Sequence, residues 1–150
     1  MDKELIMYRE TDFEDCVQIY VDAFTAPPLN YDFLTKEKAW RYISDLIKTP
    51  GFMGYTYWLD GKMTAFCFGK LDNYFDGSVF KVEELAVASM YHRSGIGTAV
   101  MKLLAIKLAG YNVSAINLQT SRTFPAFDFY LKNGYEELTD NVSLFKWIEN

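Results

Sequence analysis

The sequence is poor in the residues that build metal centres and disulfide frameworks. Of 150 residues two are cysteines, Cys16 and Cys67, and one is a histidine, His92. Zinc sites draw on several Cys or His ligands, so no metal centre of that kind is expected. Both cysteines lie inside apolar stretches and read as buried core residues, not as a structural disulfide. Prolines number four, and no repeat, low-complexity tract or linker interrupts the chain. Long apolar runs are missing too. After the mixed-charge opening Met1-Asp2-Lys3-Glu4, residues 5–8 are far too short a run for a signal-peptide core or a membrane span, which predicts a cytoplasmic protein with no membrane partner. Basic residues are outnumbered, 15 Lys and Arg against 20 Asp and Glu, for a formal net charge of −5. That balance argues against a general nucleic-acid binder, which needs a broad basic field, and favours a cationic partner.

What is present is core material: half of the residues are hydrophobic and 17% aromatic, enough for one compact domain over residues 1–150. A strand is predicted at residues 5–9. Thr11 and Glu14 then have capping-box spacing ahead of Phe13, Cys16, Val17, Tyr20, Val21 and Phe24 at helical intervals. This first helix stops before Pro27-Pro28. A second starts at Thr35 and carries Ala39, Trp40, Ile43, Leu46 and Ile47 on one face up to Pro50-Gly51. Two strands, residues 55–59 and 63–68, flank Asp60-Gly61, a pair suited to a type I′ hairpin turn. Asp76-Gly77 precedes a long strand at residues 79–87, interrupted by the adjacent acids Glu83-Glu84. Gly95 opens a third helix with Ile96, Val100, Leu103, Leu104 and Leu108 on one face, and Gly110 is its expected C′ residue. A buried strand at residues 113–120, a short helix from Pro125 through Tyr130 that stops near Asn133-Gly134, and a strand at residues 142–148 follow, with a further short strand at 135–138. The order gives an α/β (α+β) fold, a mixed, mostly antiparallel twisted sheet flanked by four helices.

The densest chemical signal runs from Glu84 to Thr98, where a strand passes through a short loop into a helix. Such a junction presents unpaired backbone N–H groups at the positive end of a helix dipole, the physical basis of phosphate binding. A Walker loop would need a lysine before Thr98, where Gly97 stands. A dinucleotide fingerprint would need a third glycine at Val100 and an acid at the end of the next strand, where Leu118-Gln119-Thr120-Ser121 has none. A pyrophosphate loop for coenzyme A is the remaining reading. Here the stretch Glu84-Leu85-Ala86-Val87, followed by Tyr91-His92-Arg93-Ser94-Gly95-Ile96-Gly97-Thr98, resembles motif A of the GNAT superfamily of N-acetyltransferases, whose pattern is Gln/Arg-x-x-Gly-x-Gly/Ala. Downstream, Ala126-Phe127-Asp128-Phe129-Tyr130 and Gly134-Tyr135 are similar to the ending of that family's fourth helix. Two departures stand out: His92 holds the usual Gln/Arg position with Arg93 beside it, and Thr123 stands where many members have Asn.

The resemblance implies the GNAT acyl-CoA N-acyltransferase fold, acetyl-CoA as cofactor, and acetylation of a small-molecule amine. It assigns coenzyme A contacts to Leu85, Ala86, Val87, His92, Arg93, Ser94, Gly95, Ile96, Gly97, Thr98, Thr123 and Tyr130, with the Val87 N–H facing the thioester. Amine attack on a thioester needs a proton acceptor for the amine and a donor for the leaving thiolate. Glu84, or its neighbour Glu83, is the candidate base or substrate anchor; strand alternation sends the two to opposite faces unless a bulge intervenes, and the resemblance implies one. Tyr130 is the candidate acid. No Cys or Ser in the motifs is placed for a covalent intermediate, so direct attack in a ternary complex is expected. Tyr31 and Asp32, together with Phe33, Asp72, Tyr74, Phe75 and Asp76, interleave acids with aromatics on two loops, a pattern that favours a cationic amine. Residues 26–32 and 49–52 resemble an aminoglycoside 6′-N-acetyltransferase-like subgroup; polyamine, aminoglycoside-like sugar and peptide amines stay open as acceptors. The alternatives are a non-catalytic acyl-CoA sensor and a protein acetyltransferase. The resemblance also makes a homodimer plausible.

Overall fold

A computed structural model describes residues 2–149. It comprises two compact units, one up to Gln119 and the other from Thr120. The first holds a five-stranded sheet in the order β1 (Lys3–Met7), β2 (Phe52–Leu59), β3 (Lys62–Tyr74), β4 (Gly77–Val87) and β5 (Val113–Asn117). All neighbours are antiparallel except β4 and β5, which run parallel and are joined through helix α3 (Ile96–Ala109). Helices α1 (Phe13–Thr25) and α2 (Lys36–Ile47) lie between β1 and β2 in sequence. The second unit holds α4 (Pro125–Lys132).

Side-chain alternation gives the sheet two apolar faces. Phe66, Phe68 and Ala86 join Cys16, Val17 and Ile19 of α1 and Ala39, Ile43 and Leu46 of α2 in one buried cluster. Tyr55, Tyr57, Ala65 and Phe80 alternate to the opposite face, the side that receives Val100, Leu104 and Leu108 of α3. The cysteines are free and buried, as expected.

The Asp60-Gly61 turn forms as predicted, with φ of 49° and 81°, and Thr35 caps α2 by accepting the Lys38 N–H. Several boundaries differ from expectation. The first helix is not capped through Thr11 and Glu14; a 3-10 turn at Glu10–Asp12 precedes it, and the Asp12 carboxylate accepts from the Arg9 backbone N–H and guanidinium. A carboxylate that satisfies both a backbone donor and a guanidinium outcompetes a hydroxyl cap. Gly110 is helical at φ −68°, and the left-handed residue is Asn112, at φ 59°. β5 is shorter and more open than predicted, because β4 is its single partner strand among the described residues. Residues 135–138 and 142–148 form no strand: β-propensity makes a strand only where a neighbouring backbone completes the ladder, and none does so among the described residues.

Candidate active site

The paired acids sit at a β-bulge. β3 and β4 pair Phe68 with Glu84 and Gly69 with Val82, which leaves Glu83 as the extra residue on β4. Gly69 permits the close approach: a Cβ there would lie 2.3 Å from the Lys81 carbonyl oxygen and 2.6 Å from the Phe80 ring. Opposite Phe68, Glu84 faces α1 and α2, while Glu83 turns to Lys81 at 3.7 Å.

The Glu84 carboxylate accepts a 2.8 Å hydrogen bond from the Tyr42 hydroxyl of α2. Burial pushes the Glu84 carboxyl up to about 7, with the Tyr42 bond opposing and the Glu83 charge adding to the rise. Burial, followed by the Glu84 charge, likewise raises the Tyr42 and Tyr20 phenols, so both stay protonated donors. The Tyr42 ring lies 5.7 Å from Tyr20, which leans on Phe24 at 4.5 Å; Phe24 stacks on Tyr31, and Tyr31 packs on Phe33. An aromatic row therefore leads from the Glu84 carboxylate to the loop bearing Tyr31 and Asp32. Sequence reasoning missed Tyr42: it sits on the flank of the apolar face of α2, and its partner is 42 residues away.

Beyond Val87 the chain is tied down at both sides of a short 3-10 turn, Ser89–Tyr91. The Ser89 N–H and hydroxyl both donate to the Asp22 carboxylate of α1, at 2.6 and 2.9 Å. The His92 Nε2 lies 2.7 Å from the Val87 carbonyl oxygen, a contact that places the proton on Nε2. His92 thus braces the strand end. Arg93 and Gly95 take positive φ, 63° and 85°, to turn the chain into α3.

Two features of this region fit coenzyme A. The first-turn N–H groups of Ile96, Gly97 and Thr98 have no carbonyl one turn back and carry the positive end of the α3 dipole; a Cβ on Gly95 would meet no atom within 4 Å, so the loop has open space beside it. The β4–β5 ladder ends at Lys81–Asn117, so β4 from Val82 to Val87 is paired through β3 alone and offers its other edge to an extended ligand. In the second unit Tyr130 packs its ring between Phe129 and Tyr135, 5.0 and 5.2 Å away, and Thr123 shares a hydrogen bond with Ser121. Among the described residues no cluster of His, Cys, Asp and Glu could hold a metal ion, and no helix is long and apolar enough to cross a membrane.

The profile of the acetyltransferase (GNAT) family matches residues 13–135. The chain belongs to that family. No curated protein matches it. Among solved structures it is similar to a possible acetyltransferase from Clostridium difficile 630, at 14% identity and TM-score 0.79, covering 98% of this chain and 99% of that one. It is also similar to an aminoglycoside acetyltransferase from an uncultured soil metagenomic sample, at 18% identity, TM-score 0.70 and full coverage of both chains. A third is glucosamine-6-phosphate N-acetyltransferase from Arabidopsis thaliana, at 14% identity and TM-score 0.67, covering 99% of this chain and all of that one. At these identities the likeness is one of fold, the GNAT fold.

Within this GNAT acetyltransferase the Tyr42 bond makes a direct prediction. It holds the charged form of Glu84, so Tyr42→Phe removes a stabiliser of the carboxylate and moves the carboxyl further up. With Glu84 in the role of proton acceptor that is proposed below, the acidic limb of the rate profile shifts to higher pH, and turnover at pH 7 falls roughly tenfold. A pH profile of kcat/KM for the two proteins checks this; an unmoved limb refutes the coupling.

Proposed function

We propose that the protein transfers the acetyl group of acetyl-CoA to the primary amine of a small cationic molecule, by direct attack in a ternary complex. The observation that carries this reading is the Glu84 carboxyl, half-buried at the bulge, hydrogen-bonded by Tyr42 and poised near neutral pH, on a strand whose next residues lead into a helix-dipole loop.

Leu85, Ala86 and Val87 hold the pantetheine arm along the unpaired edge of β4, and Arg93 to Thr98 hold the pyrophosphate through backbone N–H groups. Acetyl-CoA bound there supplies an activated acetyl thioester. The ammonium of the acceptor is drawn to the Glu84 carboxylate, which takes its proton and leaves a neutral nucleophile. Tyr42 keeps that carboxylate in place, and the aromatic row from Tyr20 to Phe33 gives a cation a π surface. The Val87 N–H donates to the developing oxyanion, and the Tyr130 phenol returns a proton to the leaving sulfur; both roles come from the family motif. Burial raises the Cys16 and Cys67 thiols, which removes them as nucleophiles and supports direct attack. The chain acts as one catalytic domain of the cytoplasm.

Thermal unfolding with acetyl-CoA, CoA, NAD and ATP in parallel tests the cofactor. A ligand at about 100 times its Kd adds about 2.7 kcal/mol, so acetyl-CoA and CoA alone raise the midpoint. Thiol release with a panel of primary amines tests transfer. Stabilisation by CoA without release from any amine would replace the enzyme by a non-catalytic acyl-CoA sensor.

A further inference from the structure

A second cleft, of about 470 Å³, opens on the sheet just past the bulge. It is lined by Lys70 and Asp72 of β3, Val79 and Lys81 of β4, and Asn117 and Gln119 at the end of β5. Lys70 follows Phe68 by two residues and pairs with Phe52, which packs on the α1–α2 cluster, so it points to the same face as Glu84. Lys81 stands directly opposite Lys70, and Asn117 directly opposite Lys81. The cleft lies where the parallel ladder ends and β4 and β5 part, a place where open α/β sheets receive ligands.

Two ammonium groups facing each other across a strand pair repel, and a fold that keeps them needs an anion between or beside them. Each has a carboxylate two residues along its own strand: Lys70 lies 3.4 Å from Asp72 and Lys81 lies 3.7 Å from Glu83. Both separations exceed the roughly 2.7–2.9 Å of a tight charge-assisted hydrogen bond. Each ammonium has three donors, and each lysine side chain is 32% exposed. Both can therefore turn donors into the cleft, where the Asn117 and Gln119 amides add neutral partners. Lys81 precedes Glu84 by three residues, about 10 Å along a strand.

We infer that this cleft holds an anionic group, a carboxylate or a phosphate, on the far end of the acceptor, so that the cationic character proposed above belongs to its ammonium end and the acceptor as a whole is a zwitterion whose amine and anion lie several bonds apart. The word acceptor rests on the acetyl-transfer reading; the anion site does not. Lys70 and Lys81 set the specificity.

The test titrates ¹⁵N-labelled protein with 6-aminohexanoate, O-phosphoethanolamine, hexylamine and 1,6-diaminohexane. The two anionic amines move the backbone amides of Lys70, Lys81 and Asn117, the tighter of them with a Kd about tenfold or more below those of the neutral and cationic tails. Lys81→Met removes that preference, Lys81→Arg keeps it, and unshifted amides elsewhere show that the variants are folded. Equal binding of hexylamine or diaminohexane, no shift from any probe in the millimolar range, or a preference that survives Lys81→Met overturns the inference. Acetyl-CoA is then added: anion-selective binding without thiol release refutes acetyl transfer and leaves the cleft assignment standing, whereas turnover of amines without anion selectivity does the reverse.

Discussion

Glu84→Gln makes the protein inactive and more stable at once. In its proposed role as proton acceptor for the amine, Glu84 contributes the roughly 10²–10⁴-fold of a positioned general base, so kcat/KM at pH 8 falls by about that factor. The stability effect follows from the same carboxyl. Its folded value of about 7 lies above its ordinary 4.5, so between these pH values the native state binds more protons than the unfolded state. Stability therefore falls as pH rises through this window, and the whole penalty is present above about pH 7. At 1.36 kcal/mol per unit it amounts to at most about 3 kcal/mol. Glutamine keeps an oxygen for the Tyr42 hydroxyl and never carries the charge. The variant thus melts several degrees higher than the parent at pH 8, at roughly 2–4 °C per kcal/mol, and level with it at pH 4. Melting curves at both pH values check this; a difference independent of pH would show that the carboxyl is not strained by burial. Glu83→Gln separates the neighbours: it removes one contributor to the rise at Glu84 and moves the acidic limb of the rate profile down, without abolishing it.

Local turns and caps are legible in the sequence, whereas the arrangement of the acids on the sheet is not. The hairpin at Asp60-Gly61, the cap at Thr35 and the loop from strand to helix at Ser94–Thr98 rest on local chemistry, which short segments encode. Which of Glu83 and Glu84 faces the helices is not local: the answer lies in the β3–β4 register and in the lack of a Cβ on Gly69, fourteen residues upstream of Glu83. Tyr42 was hidden for a similar reason, since a tyrosine on a helix flank gains meaning only from a partner brought by the sheet. The acids read as an anionic substrate surface include Asp72, which pairs with Lys70, and Glu83, which pairs with Lys81. Both pairs are local, each between residues two apart on one strand. Strand propensity at residues 142–148 misled because it carries no information about a partner strand.

Gly69→Ala is the substitution with the largest structural cost. The added Cβ would lie 2.3 Å from the Lys81 carbonyl oxygen and 2.6 Å from the Phe80 ring carbon. Neither can yield cheaply: the oxygen belongs to a backbone locked in the sheet, and Phe80 is fully buried. Relief means moving β4 away from β3 at the bulge, which opens the ladder beside Glu84. A loss of about 3 kcal/mol follows, at the upper end for overpacking, read as a lower urea midpoint. Gly110→Ala is the control, because φ of −68° suits alanine and its nearest contact, the Lys107 carbonyl oxygen, is 3.3 Å away; its change stays within about 0.5 kcal/mol. If the folded fraction of Gly69→Ala retains the acidic limb of the parent, the bulge does not set the Glu84 environment. If the limb moves toward the ordinary carboxylate range as stability drops, the missing Cβ is what buries the base, and one glycine links the packing of the sheet to the chemistry of the site.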